Sequence, residues 1–185
     1  MGFGSLFKKD ETETRNELLR KGLELLYSGK YEKAMECFDK AIELSGDPPY
    51  PSPWIGKATI LNILGNTEEA IKCLDKVIKM TDDYPDVRYS DDEWLHEDTQ
   101  DYQALAWYNK GVMLLDGSEE ALKCFDKAVE LDPEFVDAWL NKGYTLHHLG
   151  KREESIMCIR KVLELDPNNE LALTNIKAFG YEEYF

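Results

Sequence analysis

The chain of 185 residues carries a formal net charge of −15, with 43% hydrophobic and 32% charged residues. This composition is typical of a soluble globular protein with one well-formed core and excludes a disordered chain. The acidic balance also excludes a general nucleic-acid binder, because phosphate contacts need clustered Lys and Arg side chains.

The N-terminal segment, residues 1–11, is expected to be flexible. Its opening, MGFGSLFKK, has only short apolar clusters, too short for a signal peptide, and Leu6 stands where a myristoylation signal has Ser or Thr. No apolar run along the chain approaches the length of a membrane span. We therefore expect a cytoplasmic protein without membrane contacts, whose thiols stay reduced.

Two phrases recur four times along the rest of the chain. The first reads LLRKGLEL from Leu18, WIGKATIL from Trp54, WYNKGVML from Trp107 and WLNKGYTL from Trp139. The second phrase reads ECFDKAIEL, KCLDKVIKM, KCFDKAVEL and MCIRKVLEL, and its copies contain the four cysteines, Cys37, Cys73, Cys124 and Cys158. Apolar residues recur at helical spacing in both phrases, so each unit is predicted to contain two helices.

Turn and capping residues divide the two helices of each unit. Asn66 with Glu69 predicts a capping box at one helix start, and Asp132 before Pro133 predicts an N-cap and a first helical residue at another. A glycine predicts the end of the first helix in every unit: Gly29, Gly65, Gly117 and Gly150.

These units resemble the tetratricopeptide repeat, a helix–turn–helix unit of about 34 residues. The third copy carries the pattern most fully, in Trp107, Lys110, Gly111, Leu114, Ala121, Phe125, Ala128 and Pro133. The resemblance implies an all-α fold, a right-handed superhelical solenoid of antiparallel helix pairs, in a single domain over residues 12–180. The expected parts are repeats at about 15–48, 51–82, 104–133 and 136–167, a capping helix at 169–180 and a tail at 181–185.

An acidic insert, residues 81–103, separates the second and third copies. It contains nine acidic residues and one arginine, and Ser90 followed by Glu93 predicts a helix start near Asp91. A solvated elaboration of a surface loop is one interpretation, and a docking site for a basic partner, or a lid beside the groove, is another. The spacing of the acidic residues does not match the helix–loop–helix calcium pattern.

In the family that these repeats resemble, the first helix of each unit lines a concave groove that holds a peptide or a partner helix. The resemblance places twelve side chains there, of which ten are aliphatic or aromatic, and a stripe of that kind is expected to be covered. A partner peptide, the N-terminal Phe3, Leu6 and Phe7, or tight curvature of the solenoid are alternative covers. The twelve residues are Leu19, Leu23, Tyr27, Ile55, Thr59, Ile63, Tyr108, Val112, Leu115, Leu140, Tyr144 and His148.

One binding mode of the family is not expected in this chain. Co-chaperones with these repeats hold a C-terminal carboxylate with Lys and Asn side chains on the first helices. The corresponding positions here lack basic residues: Leu19, Leu23, Gly56, Leu105 and Asn109.

The chain shows no catalytic motif, and we expect no enzyme activity, no cofactor and no metal. Its histidines are His96, His147 and His148, and the adjacent pair points to different faces of a helix. The cysteines are predicted to be free apolar packing residues, because equivalent positions of a repeat array lie too far apart for a disulfide or a zinc site.

The predicted function is a protein–protein interaction scaffold that binds an apolar peptide or helix in its groove. The alternative is a structural protein that assembles into a homodimer or larger homo-oligomer through its apolar N- and C-terminal segments. The sequence names no partner, since repeat scaffolds of one fold bind different ligands.

Overall fold

The computed structural model describes residues 4–87, 99–114 and 118–185, with side chains from residue 11 onward. Over these residues the chain forms nine α-helices and a final 3-10 turn, without a β-strand, so the all-α prediction is confirmed. The helices are α1 (Gly4–Tyr27), α2 (Tyr31–Glu43), α3 (Ser52–Ile63), α4 (Thr67–Asp83), α5 (Thr99–Met113), α6 (Glu119–Leu131), α7 (Val136–His148), α8 (Arg152–Leu165) and α9 (Glu170–Ala178).

Three of the predicted glycine stops are confirmed, at Gly29, Gly65 and Gly150. Their φ angles of 71°, 83° and 75° lie in the left-handed region, where a side chain would be strained. The N–H of Lys30 closes the first of these turns by donating to the carbonyl of Leu25 at 2.8 Å. The fourth predicted stop, Gly117, lies outside the described residues.

Of the two predicted helix starts, the position of the one at Asn66 is confirmed and the one at Asp132 is wrong. Asn66 does precede α4, but its side chain makes no capping hydrogen bond. Asp132 ends α6 instead of starting α7, which begins at Val136 after Phe135. The following Pro133 favours an extended conformation at Asp132, and the Asp132 carboxylate accepts the Glu134 N–H at 2.9 Å, which makes a turn between the helices.

Two compact units divide the described chain, with the boundary between Tyr102 and Gln103 inside α5. Unit 1 holds α1 to α4 and unit 2 holds α6 to α9 with most of α5. The single domain over 12–180 stays a prediction. Helix α1 begins at Gly4, so it includes residues that the sequence analysis expected to be flexible.

Phe38 fills the centre of unit 1, where its ring is 1% exposed. Two glycines leave room for this ring. A Cβ atom added at Gly22 of α1 would lie 2.7 Å from it, and one added at Gly56 of α3 would lie 2.5 Å from it. In unit 2, Gly111 stands in the same relation to Phe125, with 2.7 Å to the ring. The small residues of the repeat pattern therefore allow helices to approach a central aromatic ring closely.

All four cysteines are buried and outside any disulfide, and each precedes a large residue of the core. Those neighbours are at most 1% exposed: Phe38, Leu74, Phe125 and Ile159. The predicted packing role of the cysteines agrees with this placement.

Thr99 ties together the two described ends of the acidic insert in unit 1. Its hydroxyl accepts a hydrogen bond from the Val87 N–H at 3.1 Å and donates toward the Val87 carbonyl at 2.7 Å. Tyr84, at the end of α4, donates its hydroxyl to Asp47 at 2.6 Å. Residues 88–98, including the predicted helix start near Asp91, lie outside the described residues.

Candidate functional site

The predicted groove residues of unit 1 lie on α1 and α3 and differ widely in exposure. Leu19 is 3% exposed and belongs to the hydrophobic core. Ile55 and Thr59 are partly buried, and Ile55 packs against the same core. The remaining three are exposed, with Leu23 at 37%, Ile63 at 50% and Tyr27 at 86%.

The predicted groove residues of unit 2 follow the same order on α5 and α7. Leu140 is 6% exposed and packs in the core, while Tyr108 is partly buried. Val112 and Tyr144 are each 37% exposed, and His148 is also exposed. The twelfth predicted residue, Leu115, lies outside the described residues.

Tyr108 is held in place by contacts with three residues of unit 2. Its ring centroid lies 4.7 Å from that of Phe135 and 6.2 Å from that of Phe125. The Asn141 side-chain amide donates to the Tyr108 hydroxyl at 3.3 Å. Burial raises the pKa of this hydroxyl, and the nearby Asp137 carboxylate adds to the effect. Tyr108 therefore stays neutral at physiological pH and offers an aromatic edge with one polar atom.

Tyr144 and His148 form an exposed aromatic pair one helical turn apart on α7. Their ring centroids are 4.4 Å apart, and the Phe179 ring lies 6.1 Å from that of Tyr144. Such a surface can stack against an apolar or aromatic side chain of a ligand.

His147 takes part in a C-terminal cluster that the repeat pattern does not predict. Its Nδ1 atom lies 2.8 Å from the Tyr181 hydroxyl, and its ring stacks on Phe179 with centroids 3.8 Å apart and an interplanar angle of 8°. Tyr181 is 1% exposed, although it follows the last helix. The adjacent His148 contacts Tyr144 instead, which agrees with the expectation that the two histidines point to different faces of the helix.

We expect His147 to titrate below the ordinary histidine value of 6.5. Burial lowers its pKa most, and the charges of His148 and Arg152 lower it further. Because the folded-state pKa is the lower one, this contribution to stability is fully present above the unfolded pKa. It is lost as the pH falls through the folded pKa. Proton NMR of the histidine ring signals, assigned with His147→Asn, measures the pKa.

Two substitutions test whether burial is the cause of this pKa shift. Phe179→Ala removes the stacked ring and should move the His147 pKa up toward 6.5. Met157→Ala, at a position of α8 that is 67% exposed, should leave it unchanged. An unchanged pKa in Phe179→Ala would contradict burial as the cause.

A cleft of about 610 Å³ lies on the α5–α6 pair. Of the predicted groove residues that the structure describes, none lines it. Its lining mixes basic, acidic and apolar residues: Trp107, Lys110, Leu114, Glu120, Lys123, Cys124, Asp126 and Lys127.

Among the described residues, no three His, Cys, Asp or Glu side chains cluster closely enough to hold a metal ion. The described helices also include none with the length and apolar character needed to span a bilayer.

Known proteins match this chain over most of its repeats. A family model described as tetratricopeptide repeat matches residues 51–84 and 136–169, a second of the same description matches 16–48, and one described as TPR repeat matches 118–150. Together these matches cover more than half of the chain. An uncharacterized protein of Methanocaldococcus jannaschii is 43% identical over 53 residues, which are 28% of this chain and 62% of that protein. The match thus spans less than two thirds of that relative's length.

Solved structures share the fold at low sequence identity. PilF of Pseudomonas aeruginosa has a TM-score of 0.72 at 20% identity, over 95% of this chain and 71% of that one. MamA of Desulfovibrio magneticus RS-1 has a TM-score of 0.66 at 17% identity, over 92% and 86% of the two chains. YrrB, described as a TPR protein with an unusual peptide-binding site, has a TM-score of 0.60 at 22% identity, over 84% and 71%. The repeated phrases, the glycine-ended helix pairs and these matches agree, and the chain belongs to the tetratricopeptide repeat family.

Proposed function

We propose that this chain is a protein–protein interaction scaffold that binds an apolar peptide or helix on the first-helix faces of its repeats. The tetratricopeptide repeat fold is typical of interaction scaffolds without enzyme activity. The observation that carries the proposal is the set of exposed large apolar side chains at equivalent repeat positions. They are Leu23, Tyr27 and Ile63 in unit 1, and Val112 and Tyr144 in unit 2.

The exposure gradient along each first helix supports a binding role for part of the predicted set. Leu19 and Leu140 stabilise the core and are unavailable to a ligand. Leu23 and Tyr144, one turn further along their helices, are each 37% exposed and keep part of their side chains against the protein. A half-exposed apolar side chain on a rigid helix can bury more area on binding at little cost in conformational entropy.

The ligand that suits these faces has apolar or aromatic anchors. In unit 2, an anchor would contact the Tyr144–His148 pair, and the Tyr108 hydroxyl and Asn141 amide would offer polar contacts nearby. An amphipathic helix presents anchors at intervals of three or four residues, which is the spacing of the exposed residues themselves. The peptide-binding description of YrrB is consistent with this proposal.

A selected peptide tests the proposal. The full-length protein is used to select binders from a display library of random 16-residue peptides, and their affinity is measured by fluorescence anisotropy. Tyr144→Glu or Leu23→Glu should weaken a selected apolar peptide by at least about tenfold, because a buried unpaired carboxylate costs more than about 1.4 kcal/mol. Met157→Glu, on the exposed side of α8, is the matched control and should change affinity less than about twofold.

Circular dichroism spectra identical to the parent's establish that each variant is folded. Equal losses in the face variants and in Met157→Glu would contradict the proposal. So would the selection of peptides without apolar anchors.

Homo-oligomerisation is the alternative, and one observation favours it. Leu171 and Leu173 on α9 are 62% and 43% exposed, although they belong to the predicted capping helix. Light scattering of the wild type against Leu171→Glu would detect assembly through this surface.

A cytoplasmic location belongs to the main proposal, since buried thiols outside any disulfide suit a reducing compartment.

A further inference from the structure

The C-terminal residues 179–185 pack on unit 2 through contacts that differ from those of the repeats. Tyr181 is buried, with 1% exposure, and its hydroxyl is hydrogen-bonded to the Nδ1 atom of His147 at 2.8 Å. Arg152 donates from Nη2 to the Gly180 carbonyl at 2.9 Å, and Arg160 donates from Nη2 to the Tyr184 carbonyl at 2.8 Å. Two arginines of one helix therefore hold the backbone of this segment at both of its ends.

Side chains of the segment also contact Arg152. The Arg152 guanidinium lies 5.0 Å from the Tyr181 ring centroid and 5.2 Å from that of Tyr184. Its Nη2 atom is 3.9 Å from the Glu183 carboxylate. Guanidinium groups favour both aromatic faces and carboxylates, so the segment is recognised through both chemistries.

One of the two arginines that hold the segment stands at a position where the fourth repeat differs from the other three. The position two residues after the cysteine is Asp39, Asp75 and Asp126 in the first three repeats, and it is Arg160 in the fourth. In unit 2, Asp126 pairs with Lys142 of the next helix at 2.8 Å, and in unit 1 Asp39 pairs with Lys57 at 2.5 Å.

The position of Arg152, six residues before the cysteine, varies among all the repeats and is occupied by Tyr31, Thr67 and Ser118 in the other three. The change from Asp to Arg at position 160 therefore distinguishes the surface of α8 from that of the other second helices.

We propose that α8, together with His147, forms a second peptide-binding site, which takes acidic segments bearing aromatic side chains and which residues 180–185 occupy in the absence of a partner. The site goes beyond the proposed first-helix faces, since Arg152 and Arg160 lie on a second helix. Its partner is a segment of another protein with the chemistry of the chain's own YEEYF: paired carboxylates between aromatic residues.

The resident segment is only partly buried. Only Tyr181 is buried, while Tyr184 and Phe185 are 39% and 49% exposed. The segment follows directly on α9, so its effective concentration at the site is on the order of millimolar. A competing segment must therefore bind more tightly than the resident one, which makes the site self-occupied until such a partner is present.

A labelled peptide tests the site on the full-length protein. The probe is a fluorescein-labelled, C-terminally amidated peptide of sequence FGYEEYF, followed by fluorescence anisotropy. Glu182→Lys with Glu183→Lys changes two exposed carboxylates and repels the resident segment from the arginines, so that the site becomes open to the probe. This variant should bind the probe at least about tenfold more tightly than the wild type.

Adding Arg152→Ala and Arg160→Ala to that variant should reverse the gain. A probe of sequence FGYKKYF should fail to bind any of the proteins, and this control needs no change in the protein. Leu23→Glu in the same background should leave probe binding unchanged, which separates this site from the first-helix face of unit 1.

Three results would overturn the proposal. One is equal affinity of the wild type and the Glu182→Lys, Glu183→Lys variant for FGYEEYF. The second is binding that persists without both arginines, and the third is equal binding of the acidic and basic probes. None of these results bears on the apolar peptides selected for the first-helix faces, so the two proposals fail separately.

Discussion

Phe38→Ala is expected to destabilise the protein by about 3–5 kcal/mol, measured by urea unfolding followed by circular dichroism. The ring is 1% exposed and lies against both Gly22 and Gly56. Removing it leaves a cavity between helices whose glycines cannot extend side chains to fill the space. Tyr27→Ala is the matched control, because this aromatic residue of the same unit is 86% exposed, and its loss should cost less than about 0.5 kcal/mol.

Gly56→Ala tests whether this glycine is needed to leave room for the Phe38 ring. In the wild type, Gly56→Ala places a Cβ atom 2.5 Å from the Phe38 ring and should be destabilising. In the Phe38→Ala background the same change meets open space and should stabilise α3 by up to about 1 kcal/mol, since Ala favours a helix over Gly. Additive effects of the two substitutions would contradict a close contact between the ring and Gly56.

The helical repeats could be predicted because the same pattern of apolar, small and glycine residues occurs four times in the sequence. The turn after α1, for example, depends on Gly29 alone adopting a φ of 71°, and Gly65 and Gly150 repeat that requirement. The cysteine positions follow equally well, since each precedes the residue that fills a core. The prediction that rested on a single residue, the helix start at Asp132, is wrong. Asp132 has the chemistry of an N-cap, but the proline after it favours a turn between the helices.

The candidate surfaces could be predicted only in part. The repeat pattern assigns Leu19 and Leu23 to one face of α1, and they lie about 6 Å apart along the helix axis, yet the first is buried and the second is exposed. That difference depends on how far the neighbouring helix reaches, which composition does not specify. The cluster of His147, Arg152 and Tyr181 was missed because its residues do not recur. The one available signal was the change from Asp to Arg at position 160 of an otherwise repeated phrase.

Cys158 is expected to react with iodoacetamide at pH 8 at least about a hundredfold more slowly than an exposed cysteine. The side chain is 3% exposed, and burial raises the pKa of its thiol to about 11 from an ordinary value of 9.0. A shift of that size lowers the reactive thiolate fraction at pH 8 from about one tenth to about one thousandth. Burial also limits access of the reagent to the sulfur atom, so the two effects act in the same direction.

The matched control moves the thiol by one residue along α8. Met157→Cys with Cys158→Ala presents a cysteine at a position that is 67% exposed on the same helix, and peptide mapping by mass spectrometry follows the alkylation of each protein. In urea the two thiols should react at similar rates, because unfolding removes the burial that raises the pKa of Cys158. Native rates within tenfold of each other would mean that the sulfur of Cys158 is reached without unfolding. The cysteine would then be a reactive group on the protein surface, and its role as a packing residue would be wrong.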